Sequence, residues 1–586
     1  MSPRLRFFAS LVALASFGVG ASAQVNVLTR HNDIARTGQN LAETTLSAQN
    51  VSAARFGKLF ERPVDSNIWS QPLVVSGVQV PNKGTRNVVY VQTEVGQIYA
   101  FDADNASETA PLWRRDLAPQ TFFDSVSTPV IDLGTQTIYC TVRHWIADSD
   151  GDPSNDNAWF TFHGLDIRSG VNKFAPVRIE GSVDSVGGKG AVNGRRPFLP
   201  QSQKQRPALL NLGNTIYAAF GGSVDAYLAT ATWSGWIFGF DKNSGAIKSV
   251  WATTPDRNGG GIWQAGNGLS SDGTHIFAVT GNGGNNPLSN SSHAGGRDYG
   301  NSVVKLTPNA GETALSVSDF FTPYNFQYME DADQDLGAAG SMLVPGTNLM
   351  VTGDKSARLY VLNRSNLGQF TAGQNNVVQD LPAWKGHLHG SPVYYNSPTH
   401  GPLIYGWPEH DYLKAFSVLG NQGVNPSPTM RSKIQAPPGM PGGSLSISAN
   451  GQTANSAVLW ANLPLIGDAN SQIVPGILRA YDANDLTKEL WNSELVPQRD
   501  KSGFYGKFSP PTVANGKVYL STFYNPQNYT GAKLVVYGLL PSAPIAPAPA
   551  NLTAAAGLQK VSLSWAAEPG ATTYTLKRST NLGGPY

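Results

Sequence analysis

The chain contains 586 residues, of which only 14% are charged, and its 42 basic and 40 acidic side chains nearly balance. Proteins that hold nucleic acid or anionic membranes by charge carry a large basic excess, so neither partner is indicated. The 62 glycines and 39 prolines, without any long helical pattern, favour an all-β protein rich in turns.

The first 23 residues have the features of a secretory signal peptide. Arg4 and Arg6 precede an apolar run at 7–19, and the Ala-Ser-Ala triplet at 21–23 suits cleavage before Gln24. The apolar run is too short for a permanent membrane span, although an uncleaved anchor is the alternative. We therefore expect a mature chain that is secreted, periplasmic or at the cell surface, without membrane insertion.

Residues 24–55 form a polar N-terminal segment. His31, Asp33, Arg36 and Asn40 make it more polar than a simple connector requires. We expect this segment to pack across one face of the folded domain that follows, or across the mouth of its channel.

The stretch from Ser70 to Trp113 contains four strand patterns. It reads SQPLVV, NVVYVQT, GQIYAFDAD and PLWRRDL, with β-branched and aromatic residues at alternate positions and Gly, Asn and Asp between the runs. Four short antiparallel strands in about forty residues are typical of one blade of a β-propeller.

Further copies of this pattern follow in the same order. They are recognisable at residues 127–170, 205–251, 263–282, 340–364, 389–416, 442–491 and 509–540. The copies predict one propeller over residues 56–540 with eight blades, or seven if one copy is an insertion.

The last copy lacks an outer strand, and Phe56 to Val64 is a strand of the outer type that stands before the first copy. We predict that these two halves form one blade. Such a closure ties the N-terminal strand to the end of the chain and removes exposed sheet edges.

The C-terminal part begins with a proline-rich linker at 541–550. Residues 551–586 resemble the first strands of a fibronectin type III domain, with Trp565 and Tyr574 at its core positions. Fewer than half of the strands of such a β-sandwich are present, so the resemblance implies an incomplete domain of a longer protein.

The propeller copies end in YAFDA, FGFDKNSG, YVLNRSNLG and LRAYDAND. These endings resemble the blade motif of the quinoproteins, the pyrroloquinoline-quinone (PQQ)-dependent alcohol dehydrogenases and their many non-catalytic relatives. The resemblance implies an all-β propeller of the quinoprotein type. Repeat motifs indicate fold better than activity, because they encode the packing of blades.

The resemblance also implies a set of site residues. Enzymes of this family use a calcium ion, a quinone stacked on a tryptophan and an aspartate base. By their motifs, Trp263 would stack on the quinone and Asn282 would bind calcium. Asp335, or less closely Asp333, would be the catalytic base and a calcium ligand. Lys355 would contact the quinone and stabilise its reduced form.

Two departures from the family pattern weaken the implied catalytic site. Only Asp225 is available where the family has a calcium-binding glutamate. Cys140 is the sole cysteine, so the disulfide of adjacent cysteines found in the enzymes cannot form. The strand-like setting of Cys140, TIYCTV, favours a buried and unreactive thiol.

Two other groups of residues suggest metal ligands. Asp148, Asp150 and Asp152 resemble a calcium loop but lack the glycine and glutamate of an EF-hand, so a solvated acidic insertion is the favoured interpretation.

The second group comprises His387, His389, Glu409, His410 and Asp411, residue types that suit zinc or copper. His410 lies a strand away from the first two histidines. Positions in turns and at the channel rim are therefore the favoured interpretation of this group.

The sequence leaves two functions open. The first is a non-catalytic binding or scaffold propeller for an extracellular protein, peptide or glycan. The departures from the family's catalytic pattern favour this function. The alternative is an alcohol or sugar dehydrogenase that depends on calcium and PQQ. No nucleic-acid partner is indicated, and the oligomeric state is not predicted.

Overall fold

The structure is a computed structural model, and it describes two compact units that divide at residue 540. The described residues are 24–118, 125–146, 157–223, 232–283, 296–541, 553–557, 560–564 and 566.

The described part of the first unit contains eight blades of a propeller, each built on four antiparallel strands, and blades 3, 7 and 8 carry one further short strand. The strands of the first four blades are Leu73–Val80, Gly84–Gln92, Gln97–Asp102 and Trp113–Asp116 in blade 1; Val130–Asp132, Thr137–Ile146, Asn157–Asp166 and Val177–Arg178 in blade 2; Leu210–Leu212, Thr215–Gly222, Trp236–Asp241 and Ile247–Ala252 in blade 3; and Ser270–Ser271, Ile276–Val279, Val303–Pro308 and Leu315–Phe321 in blade 4.

The strands of the other blades are Met342–Leu343, Leu349–Gly353, Leu359–Asn363 and Gln379–Leu381 in blade 5; Val393–Ser397, Gly401–Gly406, Tyr412–Ser417 and Met430–Gln435 in blade 6; Ser444–Ser448, Val458–Pro464, Gly476–Asp482 and Asp485–Asn492 in blade 7; and Thr512–Ala514, Lys517–Phe523, Lys533–Leu539 and Phe56–Pro63 in blade 8. The count of eight blades is thus confirmed over the alternative of seven.

The short elements outside this pattern are the strands Gln39–Asn40, Ser182–Asp184, Arg195–Pro197, Gln203–Lys204 and Phe504–Tyr505, the α-helices Phe326–Asp331 and Pro497–Asp500, and the 3-10 turns Pro200–Ser202, Gln264–Gly266, Leu336–Ala338 and Gly420–Gln422. No helix among the described residues has the length and apolar character that a membrane crossing requires.

Alternation along each strand explains how neighbouring blades pack. In the third strand of blade 1, Ile98 and Ala100 join the hydrophobic cluster between blades 1 and 2. Tyr99 and Phe101, on the opposite face, join the cluster between blades 8 and 1. Because successive side chains point to opposite faces of a sheet, an apolar strand is buried on both sides.

The N-terminal strand closes the ring as the sequence predicts. Phe56–Pro63 pairs antiparallel with Lys533–Leu539 and becomes the outer strand of blade 8. The chain therefore fastens its beginning to its end by a ladder of backbone hydrogen bonds, and no disulfide is needed.

The polar N-terminal segment runs along the first strands of the blades. Gln39–Asn40 pairs in parallel with Ser444–Ser448 of blade 7, and Val27 bridges Val74 of blade 1. Further backbone hydrogen bonds join the segment to the first strands of blades 2, 4, 5 and 6, at Ile131, Ser271, Leu343 and Tyr394. One segment thus holds most of the ring together from its inner side.

Cys140 lies on the second strand of blade 2 and is fully buried. Burial raises the pKa of its thiol well above the ordinary value, so the thiol stays protonated and unreactive.

In the second unit, Thr553–Gly557 pairs antiparallel with Lys560–Ser564. The predicted core positions of the fibronectin type III domain, Trp565 and Tyr574, lie outside the described residues. That domain therefore stays a prediction.

Candidate functional site

A pocket of about 370 Å³ opens among the loops that connect blades and strands at one end of the channel. Most of its residues come from two kinds of loop. Trp263, Asp335, His389 and Phe508 precede the first strands of their blades, whereas Glu409 lies between the second and third strands of blade 6. The other polar side chains of the pocket are Arg206, Asp333, Lys355, His387, His410, Asp468 and Asn470.

The base of the pocket adjoins the N-terminal segment. The Arg30 guanidinium donates hydrogen bonds to the carbonyl oxygens of Ala265 and Phe508, both of which line the pocket. Burial lowers the pKa of Arg30 to about 9, which keeps this side chain charged at neutral pH. The segment therefore supports the pocket from inside the ring.

Trp263 forms one wall of the pocket and is held by a cradle of glycines. A Cβ atom added at Gly221, Gly261 or Gly281 would lie 2.4 to 2.6 Å from the Trp263 ring. Real Cβ contacts are longer, so only glycine lets the backbone lie this close to the ring. The ring also donates a hydrogen bond of 3.2 Å to the carbonyl of Gly222. Its position is therefore fixed before any ligand binds.

Asp335 and Lys355 form an ion pair in the same pocket. The Lys355 Nζ lies 2.6 Å from Asp335 Oδ2 and 2.9 Å from Asp333 Oδ2. Asp335 Oδ1 accepts a hydrogen bond of 2.7 Å from the backbone amide of Asn282. Both oxygens of Asp335 are thus engaged, and the lysine lies between two carboxylates as an internal cation.

Each member of this pair favours the charged form of the other. Burial lowers the pKa of Lys355, but the Asp335 and Asp333 carboxylates outweigh burial and hold that pKa above its ordinary value. Burial raises the pKa of Asp335, and the ammonium group of Lys355 opposes the rise. Burial is the larger effect, so the pKa of Asp335 stays above its ordinary value, while the ammonium group 2.6 Å away favours the ionised carboxylate.

Removing the lysine tests this arrangement. We expect Lys355→Met to lower the free energy of unfolding by about 2 kcal/mol, since Asp335 is left buried without its cation. The double variant Lys355→Met/Asp335→Asn should recover much of that loss, as a urea titration would measure. Lys83→Met removes an exposed lysine 3.9 Å from Glu108 and should change stability by less than about 0.5 kcal/mol. An equal loss of unfolding free energy in Lys355→Met and Lys83→Met would contradict a stabilising role of the Lys355–Asp335 pair.

Asn282 supports the carboxylates and does not face the pocket as a free ligand. Its Nδ2 donates to Asp333 Oδ1 at 3.0 Å, and its Oδ1 accepts from Asn301 Nδ2 at 2.7 Å. Calcium requires oxygen ligands that are free to bind it. Among the described residues, the lysine cation and these amide bonds already occupy the oxygens that the resemblance assigns to calcium. The described residues in this arrangement do not fit a calcium ion.

The remaining predicted ligands cannot be placed. Asp225, Asp148, Asp150 and Asp152 all lie outside the described residues. Trp263, Asp335 and Lys355 line the pocket together, and Asn282 is bonded to one of them.

The structure also brings together residues that the sequence assigns to turns and the channel rim. His387, His389 and Glu409 lie in the same pocket, and their ligand atoms are within 4.8 Å of one another. Asp411 is turned away and pairs with Lys414 at 2.6 Å. Sequence reasoning missed Arg206 and Asp468 altogether. Asp468 follows the second strand of blade 7 as Glu409 follows that of blade 6, so an alignment of the repeats could have found it.

Comparisons with solved structures identify the fold. The chain is similar to a quinohemoprotein alcohol dehydrogenase from Pseudomonas putida HK5, with 15% identity, a TM-score of 0.53, and coverage of 90% of this chain and 83% of that one. A quinohemoprotein alcohol dehydrogenase from Comamonas testosteroni matches with 15% identity, a TM-score of 0.50 and coverage of 90% and 82%.

A europium-containing methanol dehydrogenase matches with 13% identity, a TM-score of 0.50 and coverage of 88% of this chain and 98% of that one. No protein-family profile and no curated protein sequence matches the chain. At these identities the likeness establishes a shared fold, the eight-bladed propeller of the quinoprotein type.

Proposed function

We propose that this chain is a secreted propeller that binds an extracellular ligand in the channel pocket without oxidising it. The observation that carries the proposal is the placement of Lys355 between Asp333 and Asp335. A dehydrogenase of the quinoprotein type needs a free carboxylate base and a calcium ion at this place. The lysine instead pairs with one oxygen of each carboxylate, so we infer that the pocket is arranged for recognition.

We further propose that the ligand is the end of a glycan. A pocket of about 370 Å³ is near the lower end of the range for small-molecule sites and is too small to hold a folded protein surface. The exposed part of Trp263 offers aromatic surface for the apolar face of a sugar ring. Asp468 and Arg206 offer polar groups for its hydroxyls.

A glycan array tests the proposal. The full-length chain is expected to bind a defined class of glycan, and isothermal titration should show affinity reduced about tenfold or more in Asp468→Asn, since that variant removes a charged hydrogen-bond partner. Asp331→Asn is the matched control, because Asp331 is an exposed aspartate outside the pocket. Absence of any bound glycan, or equal affinity in both variants, would contradict the proposal.

A second candidate is a PQQ-dependent alcohol or sugar dehydrogenase. The convergence of Trp263, Asp335 and Lys355 in one pocket favours it, because the resemblance assigns all three to the quinone site. The test mixes the chain with PQQ and calcium and measures dye reduction driven by alcohols or aldoses. We expect no turnover. Turnover that disappears in Asp335→Ala would replace the binding proposal by this one.

A further inference from the structure

Three side chains at one side of the pocket form a cluster of a kind that binds metal ions. His387 and His389 come from the loop before blade 6, and Glu409 comes from the loop between its second and third strands. Their ligand atoms lie within 4.8 Å of one another. Two imidazoles and one carboxylate are the protein ligands of many zinc sites that keep an open coordination position.

His389 is the most deeply buried histidine of this cluster. The side chain is only 4% exposed, and its ring neighbours are the rings of His387 at 5.7 Å and Phe508 at 6.5 Å. Across the described part of the chain, no hydrogen bond reaches either of its ring nitrogens. An imidazole nitrogen without a hydrogen bond to the protein is available to a ligand in the pocket.

Glu409 is oriented toward the histidines by the backbone. Its Oε1 accepts a hydrogen bond of 3.2 Å from the His387 amide and lies 2.8 Å from His387 Nδ1. A Cβ at Gly386 would lie 2.3 Å from the Glu409 carbonyl oxygen, so glycine is what lets the two loops approach. The carboxylate is therefore placed by the fold rather than by the flexibility of its own side chain.

We propose that His387, His389 and Glu409 bind one divalent transition-metal ion such as Zn²⁺. Four tetrahedral ligands about 2.0 Å from zinc lie roughly 3.3 Å apart, so small side-chain movements convert the present cluster into three ligands of such a site. The fourth position faces the pocket, where water or an oxygen of a bound ligand completes the coordination.

The charge of the pocket is compatible with a cation there. Four carboxylates and two permanently basic side chains line the pocket, namely Asp333, Asp335, Glu409 and Asp468 against Arg206 and Lys355. Lys355 is already paired with two of the carboxylates. Glu409 and Asp468 therefore offer negative charge on the side of the pocket where the histidines lie.

Metal titration of the full-length chain tests the site. The chain is purified without a polyhistidine tag, stripped with chelator and titrated with Zn²⁺ in a calorimeter. Co²⁺ then reports the coordination geometry by its visible absorption. We expect one equivalent of metal to bind and the melting temperature to rise with metal.

The variants are His389→Ala, His387→Ala and Glu409→Gln. Each should weaken Zn²⁺ binding by about 100-fold or more, since loss of even an outer partner of a metal ligand costs 10- to 100-fold. His387 is the more exposed histidine, so its variant keeps the test valid if His389→Ala does not fold. His275→Ala is the control, because His275 pairs with Asp272 at 3.0 Å outside the pocket.

Either of two results would overturn the inference: no saturable binding of Zn²⁺ or Co²⁺ to the folded chain, or unchanged binding in both His387→Ala and Glu409→Gln. The test uses the metal alone. Its outcome is therefore independent of whether the pocket also binds a glycan.

Discussion

Replacing Arg36 by alanine is expected to lower the free energy of unfolding by about 4 kcal/mol. Arg36 is fully buried in the N-terminal segment. Its guanidinium donates to the carbonyl oxygens of Leu269 at 2.9 Å and Leu209 at 3.3 Å, which lead into blades 4 and 3. It also donates to Thr29 Oγ1 at 2.7 Å and to the Arg30 carbonyl at 2.9 Å. Alanine would leave these buried acceptors without a partner.

Urea denaturation followed by fluorescence measures this effect. Arg55→Ala is the matched control, because Arg55 belongs to the same N-terminal segment but is exposed. We expect the control to change stability by less than about 0.5 kcal/mol. A loss below about 1 kcal/mol in Arg36→Ala would mean that the segment contributes little to holding the ring, against the hydrogen bonds described here.

Replacing Phe56 by alanine is also expected to cost about 4 kcal/mol of unfolding free energy. Phe56 is fully buried on the strand that completes blade 8. Its ring lies 5.3 Å from that of Trp460 and 4.9 Å from that of Trp491, both in blade 7. The substitution opens a cavity between the last two blades, where the ends of the chain are joined.

Phe60→Ala is the matched control for ring closure. Phe60 lies on the same strand but is only partly buried, with the Arg62 guanidinium 4.2 Å from its ring. Its replacement should cost about 2 kcal/mol, because less apolar surface is lost from the core. Equal midpoints of urea unfolding for the two variants would show that the packing of Phe56 on blade 7 is not what secures the closing strand.

Under the proposed function, the Lys355 ion pair explains how a pocket can keep residues of a catalytic motif and bind a ligand without oxidising it. Trp263, Asp335 and Lys355 lie together, as their motifs suggest, but the lysine occupies the space between the carboxylates. Residue type at a motif position therefore does not decide chemistry. The decisive property is which oxygen atoms have no partner, and hydrogen bonding determines that.

Much of the fold could be predicted because its information is local. Strands such as Gln97–Asp102 are recognisable from alternation, and repetition of the pattern gives the number of blades. The unpaired outer strand at Phe56–Pro63 could be matched to the last copy because every other copy supplies its own. The course of residues 24–55 along the inner strands could not be predicted, because its contacts join residues that are up to hundreds of positions apart in the sequence and follow no period.

The sequence by itself determined the propeller, its closure and a short set of motif residues, because repeated local patterns encode blades. Only the tertiary structure decided which side chains meet. The pairing of strands within blade 6 brings His387 Nδ1 to within 2.8 Å of Glu409 Oε1, whereas the sequence indicated only that these residues lie in turns and at the channel rim. The ion pair of Lys355 and Asp335 likewise depends on the fold, because Asp335 precedes the first strand of blade 5 and Lys355 follows its second strand. Distances between loops follow from strand pairing and blade packing, and no local pattern carries them.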